Sequence, residues 1–349
     1  MQLPISQQLV LKRRLLFTPR SDCPWASEMV LNPAIIEDPS SGRIHMLFRA
    51  TGPWDNMRTA TYPIFLGYAW SDDRGCHWEA DFSRPALAPK LAMQADEIVI
   101  TNHHQLQVVN YANGCIEDPR LFMIDGECYA VTACRMFPPG PYWIKDDPRQ
   151  CAPEWIDTPK NRFGRAASEN VTVSVLFRVN LKALVERCYE QAFQYITHLT
   201  DPELGENRDV VIFPEKISVN GQPCFVCIHR PWQPHAYIKS KEALLPSMLI
   251  CGAAEFDEIW RERASQTLLA SPLFEWEGDR IGASAPPLRL SDSEWLLCYH
   301  GKQDAVRGYT QSFIILEQTS EGLPQVKHRC PERILFAAEP WEMPGRFKT

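Results

Sequence analysis

Proline is the feature that most limits how this chain can fold. The 349-residue sequence contains 29 prolines, spread along its whole length. Because proline lacks a backbone N–H and clashes with the preceding helical turn, this spacing cuts the chain into short elements and argues against long helices. The apolar runs have the length of β-strands and cover residues 44–48, 65–70, 98–100, 121–124, 128–133, 171–177, 210–213, 225–228, 295–299 and 313–316.

Turn signals connect several of these runs. Asp125-Gly126 and Asn220-Gly221 are dipeptides that favour the tight turns of β-hairpins. Residues 71–78 have the spacing S-x-D-x-G-x-x-W, in which Asp73 would hold a tight turn and Gly75 would supply an unusual φ. Many short strands with regular hairpins predict an all-β sandwich, barrel or propeller, and this turn favours the propeller.

One segment departs from the strand pattern. Apolar residues recur at helical spacing over residues 181–196, with Asn180 placed to cap the first turn. This pattern predicts one inserted amphipathic helix packed on the outside of the β structure. The preceding residues 137–168 are rich in proline, tryptophan and charge, and they predict a long inserted loop. We therefore expect a single domain over residues 1–349, with an insertion over about 137–200.

Composition limits the classes of partner. Lys and Arg number 36 against 43 Asp and Glu, a net charge of −7, so an extended basic surface for nucleic acid or anionic membrane is not expected. No apolar run approaches a membrane span, and no export signal is recognised, so we expect a cytoplasmic protein. Its 12 cysteines are then expected to be free thiols, and the lone pair Cys224 and Cys227 is not expected to bind metal.

Polar residues cluster at the ends of several strand-like runs. The acids are Glu117, Asp118 and Asp209, and the bases are Arg49, Arg208, Lys216 and His300. Each taken alone has an ordinary structural explanation, such as a turn aspartate or a hydrogen-bonded core histidine. In a propeller, however, the inner strands of all blades start near the central axis, so these ends would converge. Acids beside bases in one pocket would form a sugar site next to an anion site.

Eight short segments carry a more specific pattern. They are Asn32-Pro33-Ala34, Phe48-Arg49-Ala50, Glu117-Asp118-Pro119-Arg120, Asn207-Arg208-Asp209, Phe213-Pro214-Glu215-Lys216-Ile217, His229-Arg230-Pro231, Ala285-Pro286-Pro287 and Tyr299-His300-Gly301. Their order resembles that of glycoside hydrolase family 130, the β-mannoside phosphorylases and related β-mannosidases. The resemblance covers residues 28–345 and implies a five-bladed β-propeller.

The resemblance also implies roles for individual residues. Asp118 occupies the position of the general acid in an inverting reaction, in which phosphate attacks the anomeric carbon and releases α-mannose 1-phosphate. The implied phosphate ligands are Arg49, Arg208, Lys216 and His300. The implied sugar contacts are Asn32, Asp209 and Tyr299. Inorganic phosphate is the expected co-substrate, and no metal or organic cofactor is expected.

The residues themselves favour phosphorolysis over hydrolysis. An inverting hydrolase needs a second carboxylate to activate water, whereas a phosphorylase needs one acid and several cations for the phosphate. Hydrolysis of β-mannosides by the same acid, and sugar binding without turnover, remain the alternatives. The linkage (β-1,2 or β-1,4), the acceptor sugar and the oligomeric state are left open. The family's Tyr-Gly-Ala-Ala-Asp segment is absent near the end of the chain, so the final strands of the family pattern are expected to be missing or replaced.

Overall fold

The described part of the chain is built almost entirely of β-strands. The computed structural model describes residues 13–53, 64–138, 152–156, 163–239, 245–261, 265–304 and 308–342. Within these ranges the strands form four antiparallel sheets of four or five strands and one separate hairpin. Both α-helices in these ranges are five residues long, and neither has the length or hydropathy needed to cross a membrane. The all-β prediction is confirmed.

Each large sheet is an up-and-down meander, the arrangement of a propeller blade. The first contains β1 (Met29–Glu37), β2 (Ile44–Thr51), β3 (Ile64–Ser71) and β4 (Glu79–Asp81). After a hairpin of β5 (Val99–Thr101) and β6 (Gln107–Val109), the second contains β7 (Cys115–Ile124), β8 (Glu127–Arg135), β9 (Val173–Val179) and β10 (Phe193–His198).

The other two sheets have the same plan with one extra short strand each. The third contains β11 (Asn207–Ile212), β12 (Ile217–Val219), β13 (Gln222–Pro231), β14 (Met248–Ala253) and β15 (Thr267–Ala270). The fourth contains β16 (Arg280–Ala283), β17 (Leu288–Arg289), β18 (Glu294–Lys302), β19 (Tyr309–Glu317) and β20 (Gln325–Arg329).

The chain divides into two compact units. The N-terminal unit comprises Phe17–Glu206, and the C-terminal unit comprises Asn207–Thr349 together with Met1–Leu16. The core of the N-terminal unit includes Leu47, Leu66 and Val175, and that of the C-terminal unit includes Phe213 and Leu297; none of these side chains exceeds 1% exposure. Each unit thus has its own apolar core. A single domain over all 349 residues stays a prediction.

The turns predicted from the sequence are present. Asp125-Gly126 joins β7 to β8 and Asn220-Gly221 joins β12 to β13, with positive φ at all four residues, as type I′ turns require. Between β3 and β4, Asp73 Oδ1 accepts hydrogen bonds from the His77 N–H at 2.7 Å and the Ser71 hydroxyl at 2.9 Å. These bonds, led by that from the His77 N–H, lower the pKa of Asp73 to about 2.

The predicted amphipathic helix over residues 181–196 is wrong in its length. Helix α2 covers only Leu181–Val185, and a short 3₁₀ turn and then strand β10 come after it. The Asn180 side chain does cap it, accepting from the Ala183 N–H at 3.1 Å. Arg187 takes a positive φ of 58°, which ends the helix, and the backbone groups of β10 pair with β9. Sheet pairing therefore overrides the helical spacing of apolar residues.

The predicted insertion over residues 137–200 is also too long. Strands β9 and β10 pair with β8 and with each other, so residues from 173 onward belong to the second sheet. Helix α1 (Gly164–Ser168) and a 3₁₀ turn at Glu154–Ile156 lie between β8 and β9. Residues 139–151 and 157–162 of the predicted loop lie outside the described residues.

A buried carboxylate organises the fourth sheet. Glu277 is fully buried, and its Oε1 accepts hydrogen bonds from the Tyr299 hydroxyl at 2.7 Å and from Arg329 Nη2 at 2.6 Å. Its Oε2 accepts from the backbone N–H of Phe274 at 2.8 Å. Strand β18 passes so close that a Cβ at Gly301 would lie 2.7 Å from the Glu277 Cα. These contacts lock β18 in place, one residue away from His300.

Replacing Glu277 with alanine should strongly destabilise the protein. The change leaves the Arg329 guanidinium, only 11% exposed, without its carboxylate, and a broken buried pair costs about 3–5 kcal/mol. Urea denaturation should report a loss of that order in the free energy of unfolding. Asp292→Ala is the control, because the Asp292 side chain that pairs with Arg289 is fully exposed and such pairs contribute about 1 kcal/mol or less. Equal losses for both variants would contradict this account.

Candidate active site

The first strands of three sheets share one irregularity. The register of β1 shifts between Leu31 and Ala34, that of β7 between Glu117 and Arg120, and that of β11 between Arg208 and Val211. Such a β-bulge turns a side chain out of the regular ladder and often lies next to an active site.

The first bulged residue is in each case an asparagine or aspartate with positive φ. The values are 48° for Asn32, 55° for Asp118 and 56° for Asp209. Asn and Asp tolerate this left-handed conformation better than other residues with a side chain. All three are among the residues that the sequence singled out, so these predicted site residues occupy equivalent places in their respective sheets.

In the N-terminal unit, the bulges of β1 and β7 bring Asn32 and Asp118 together. Asp118 Oδ1 accepts hydrogen bonds from Asn32 Nδ2 at 2.7 Å and from Arg49 Nη1 at 3.1 Å. The Asp118 side chain is 18% exposed, so solvent or a ligand can reach it. Three predicted site residues from three different strands therefore converge on one carboxylate.

Arg49 also holds a second carboxylate. Its Nη1 lies 2.8 Å from Glu117 Oε2, and the Glu117 side chain is only 6% exposed. Arg120 Nη1 donates to the Asp118 backbone oxygen at 2.7 Å, which steadies the bulge from behind. Because one guanidinium serves two carboxylates, this trio can take up a proton without acquiring net positive charge. Arg49 is better placed to hold Asp118 than to bind phosphate.

In the C-terminal unit, Asp209 lies at the centre of a second cluster. Its Oδ2 accepts from Arg230 Nε at 2.8 Å and Nη2 at 2.7 Å, and lies 3.4 Å from His300 Nε2. The exposed fractions of the Arg230, Asp209 and His300 side chains are 4%, 7% and 14%. The other ring nitrogen of His300, Nδ1, lies 3.1 Å from the Ser284 hydroxyl.

Further cations border this cluster. Arg280 lies with its guanidinium 4.5 Å from the Trp232 ring centre and is bound to Asp279 through Nε at 2.8 Å and Nη2 at 2.9 Å. The ammonium of Lys302 lies 5.7 Å from the centre of the Tyr309 ring. Burial lowers the pKa of Lys302, and the charge of Arg280 lowers it further.

The phenol of Tyr309 marks where the positive charges meet. Its ring lies 5.3 Å from that of His300, and its hydroxyl lies within electrostatic range of Arg208, Arg230, Arg280 and Asp209. Four cations, Arg208, Arg230, Arg280 and Lys302, therefore face two carboxylates, Asp209 and Asp279. Among the described residues, these six side chains sum to a charge of +2, which can attract an anion.

A buried polar chain anchors the start of β11. Asn207 is fully buried, and its Nδ2 donates to His229 Nδ1 at 2.8 Å and to the Tyr237 hydroxyl at 3.0 Å. His229 Nε2 in turn lies 2.6 Å from Gln266 Oε1. This chain holds the backbone that presents Arg208 and Asp209.

The structure does not bring Lys216 into this cluster. Its side chain is exposed, and its ammonium lies 4.7 Å from the centre of the Phe225 ring. Phe225 and Arg230 are five residues apart on β13, about 16 Å along an extended strand, and point to opposite faces. Arg208 lies near the start of β11, whereas Lys216 follows the end of that strand. Proximity in sequence does not become proximity in space here.

Tyr299 is likewise not part of the site surface. It has no exposed surface and lies in the core of the C-terminal unit, where its hydroxyl donates to Glu277. Residues alternate between faces along β18, so the neighbouring His300 points to the other side. The predicted sugar contact at Tyr299 is therefore replaced by a structural role.

Sequence reasoning missed four residues of the C-terminal cluster. They are Arg230, Arg280, Lys302 and Tyr309. Arg230 lies in the segment His229-Arg230-Pro231, so the signal was present but its role was not assigned. The other three stand in segments with no distinctive pattern, and only the pairing of β16, β18 and β19 brings them together.

Comparison with known proteins places this chain among mannoside-active relatives. No family model matches it. It is 26% identical over 327 residues to a 1,2-beta-oligomannan phosphorylase of Thermoanaerobacter sp., covering 94% of this chain and 81% of that protein. It is 29% identical over 202 residues to a beta-1,4-mannooligosaccharide phosphorylase of Ruminococcus albus, covering 57% of this chain and 51% of that protein.

Solved structures show the same fold. One of them is described under the words "the GH130 family of mannoside phosphorylases contains glycoside hydrolases that target beta-1,2 mannosidic linkages in Candida mannan". It superposes with a TM-score of 0.56 at 16% sequence identity, covering 94% of this chain and 80% of that one. Together with the sequence similarity over nearly the whole chain, this likeness supports the resemblance of the protein to glycoside hydrolase family 130.

Proposed function

We propose that this protein is an inverting β-mannoside phosphorylase that cleaves β-1,2- or β-1,4-linked mannosides and releases α-mannose 1-phosphate. Its two curated relatives are named as phosphorylases of oligomannans with these two linkages. We further propose that the fold is a five-bladed propeller, which the four meander sheets support. We also propose a cytoplasmic location. Inorganic phosphate is the co-substrate, and the proposed reaction uses no metal or organic cofactor.

The excess of cations in the C-terminal unit is the observation that carries this proposal. Phosphate is a dianion and already a nucleophile, so its enzyme must supply positive charge and orientation rather than a general base. Arg208 and Lys302, both near Tyr309, and Arg280 beside Trp232 are suited to that task. His300 would assist through its imidazole.

Asp118 is the proposed proton donor. As the bond between the anomeric carbon and the leaving oxygen breaks, a proton from Asp118 passes to that oxygen, and a phosphate oxygen bonds to the carbon from the opposite face. Asn32 and Arg49 support this role because both bond to Oδ1 and hold the carboxyl group in one orientation. The chemistry needs one positioned acid, and a general acid contributes about 10²- to 10⁴-fold in rate.

Hydrolysis is the second candidate, and Asp209 favours it. A carboxylate among the cations is what an inverting glycosidase would need to activate water. However, Asp209 is 7% exposed and already bound by Arg230, which leaves it poorly placed to accept a proton from water. We therefore rank phosphorolysis first.

Product analysis should separate the two functions. Incubation with β-1,2- and β-1,4-mannobiose should yield mannose 1-phosphate when phosphate is present and no product when it is omitted. Chromatography against authentic standards measures both products. Free mannose formed at the same rate in phosphate-free buffer would establish hydrolysis instead.

Asp118→Asn should lower the rate by at least about 10²-fold, because the amide cannot donate a carboxylic proton. The fold should persist, since asparagine also tolerates the positive φ of this position. Asp125→Asn is the matched control: it makes the same change at a positive-φ aspartate in the β7–β8 turn and should leave the rate unchanged. A fully active Asp118→Asn variant would remove this residue from the mechanism.

Phosphate binding should weaken at a lower pH than it would if Lys302 had the ordinary pKa of a lysine. Because the pKa of Lys302 is lowered, its positive charge is present at neutral pH and is lost as the pH rises through that lowered value. The KM for phosphate should therefore rise on the alkaline side, and Lys302→Arg should suppress the rise. Lys327→Arg, at an exposed lysine whose pKa is raised by Glu294 and Glu317, should not alter the profile. Identical profiles for all three proteins would exclude Lys302.

A further inference from the structure

The cluster that would bind phosphate already contains an anion. Asp209 Oδ2 lies within 2.8 Å of two nitrogens of the Arg230 guanidinium and 3.4 Å from His300 Nε2. The Arg230 and Asp209 side chains are 4% and 7% exposed, so water screens their interaction poorly. Two of the groups suited to an incoming anion are therefore engaged by the protein's own carboxylate.

The backbone holds this carboxylate in place. Asp209 is the positive-φ residue of the β11 bulge, which turns its side chain toward β16. A Cβ at Gly282 of β16 would lie 2.1 Å from Asp209 Oδ2, so the carboxylate occupies space that only a glycine leaves open. The contact is thus built from both strands, and the Asp209 side chain has little room to move away.

The charge of Asp209 opposes the binding of an anionic ligand. The donors of Arg230 that contact Asp209 are among those that would otherwise bind phosphate oxygens, and a fixed carboxylate repels a dianion at short range. Phosphate then depends on Arg208, Arg280 and Lys302, of which Arg280 is itself bound to Asp279. Removing the charge of Asp209 would release Arg230 and raise the net positive charge of the cluster by one.

We propose that Asp209 is a specificity-determining residue, an internal competitor that occupies Arg230 and His300 and keeps the affinity for phosphate low. This inference rests on the proposed function in that phosphate is taken as the nucleophile. It replaces the expected role of Asp209 as a sugar contact. The carboxylate would set the phosphate concentration at which the enzyme works.

Calorimetric titration of inorganic phosphate into the sugar-free protein tests the proposal. Asp209→Asn is isosteric and keeps a residue that tolerates positive φ. It should lower the Kd for phosphate by about tenfold or more, because it removes a negative charge at contact distance from the bound anion. Asp72→Asn is the matched control, because Asp72 also binds an arginine through two nitrogens, at 2.6 and 2.8 Å, and its loss should leave the Kd unchanged. A Kd for Asp209→Asn equal to or above that of the wild type overturns the proposal.

A second variant guards against a folding defect. Asp209→Gly also suits the φ of 56° and removes the carboxylate entirely, so it should lower the Kd in the same direction. Thermal denaturation confirms that each variant is folded before titration. Tighter phosphate binding by the variants without any phosphorolysis by the wild type would uphold the competition and refute the proposed function. Phosphorolysis by the wild type with an unchanged Kd in both variants would support the proposed function and refute the competition by Asp209.

Discussion

The β-bulge at the start of a sheet is the constraint on which both candidate clusters depend. Asn32, Asp118 and Asp209 each leave the regular ladder at a shift in register and take a positive φ there. A strand in perfect register would send these side chains to alternate faces of its sheet. The bulge instead presents a short polar side chain at a fixed place in the packed structure. The strain of its positive φ persists because the surrounding structure enforces that conformation.

The same backbone device is used with different electrostatics in the two units. In the N-terminal unit, Asp118 shares the guanidinium of Arg49 with Glu117, so the trio has more acid than base and keeps an accessible carboxyl group. In the C-terminal unit, Asp209 is surrounded by cations and is almost completely buried. One carboxylate is therefore suited to exchange a proton, and the other to regulate how strongly an anion is held.

Sequence reasoning succeeded where the signal is local and failed where it depends on partners. The hairpin turn Asp125-Gly126 and the capping role of Asn180 could be inferred from the residues themselves, because their hydrogen bonds reach only a few positions along the chain. The helix predicted over residues 181–196 failed because strand β9 offers backbone hydrogen bonds that outweigh a helical apolar stripe. Lys216 and Tyr299 point away from the cluster around Asp209, because a motif records which residues are adjacent, while strand length and face decide where their side chains lie.

The all-β class and the positions of the turns follow from local patterns in the chain, and its motifs single out Asn32, Arg49, Asp118, Arg208, Asp209 and His300 as site candidates. Proline spacing, turn dipeptides and strand-length apolar runs act locally, and so they can be read from the chain alone. Folding alone brings Arg49 to Asp118 in one unit and Arg230 to Asp209 in the other, and it places Arg280 and Lys302 at the border of the Asp209 cluster. Those pairings depend on register and on the close approach at Gly282, which arise only when separate strands pack together.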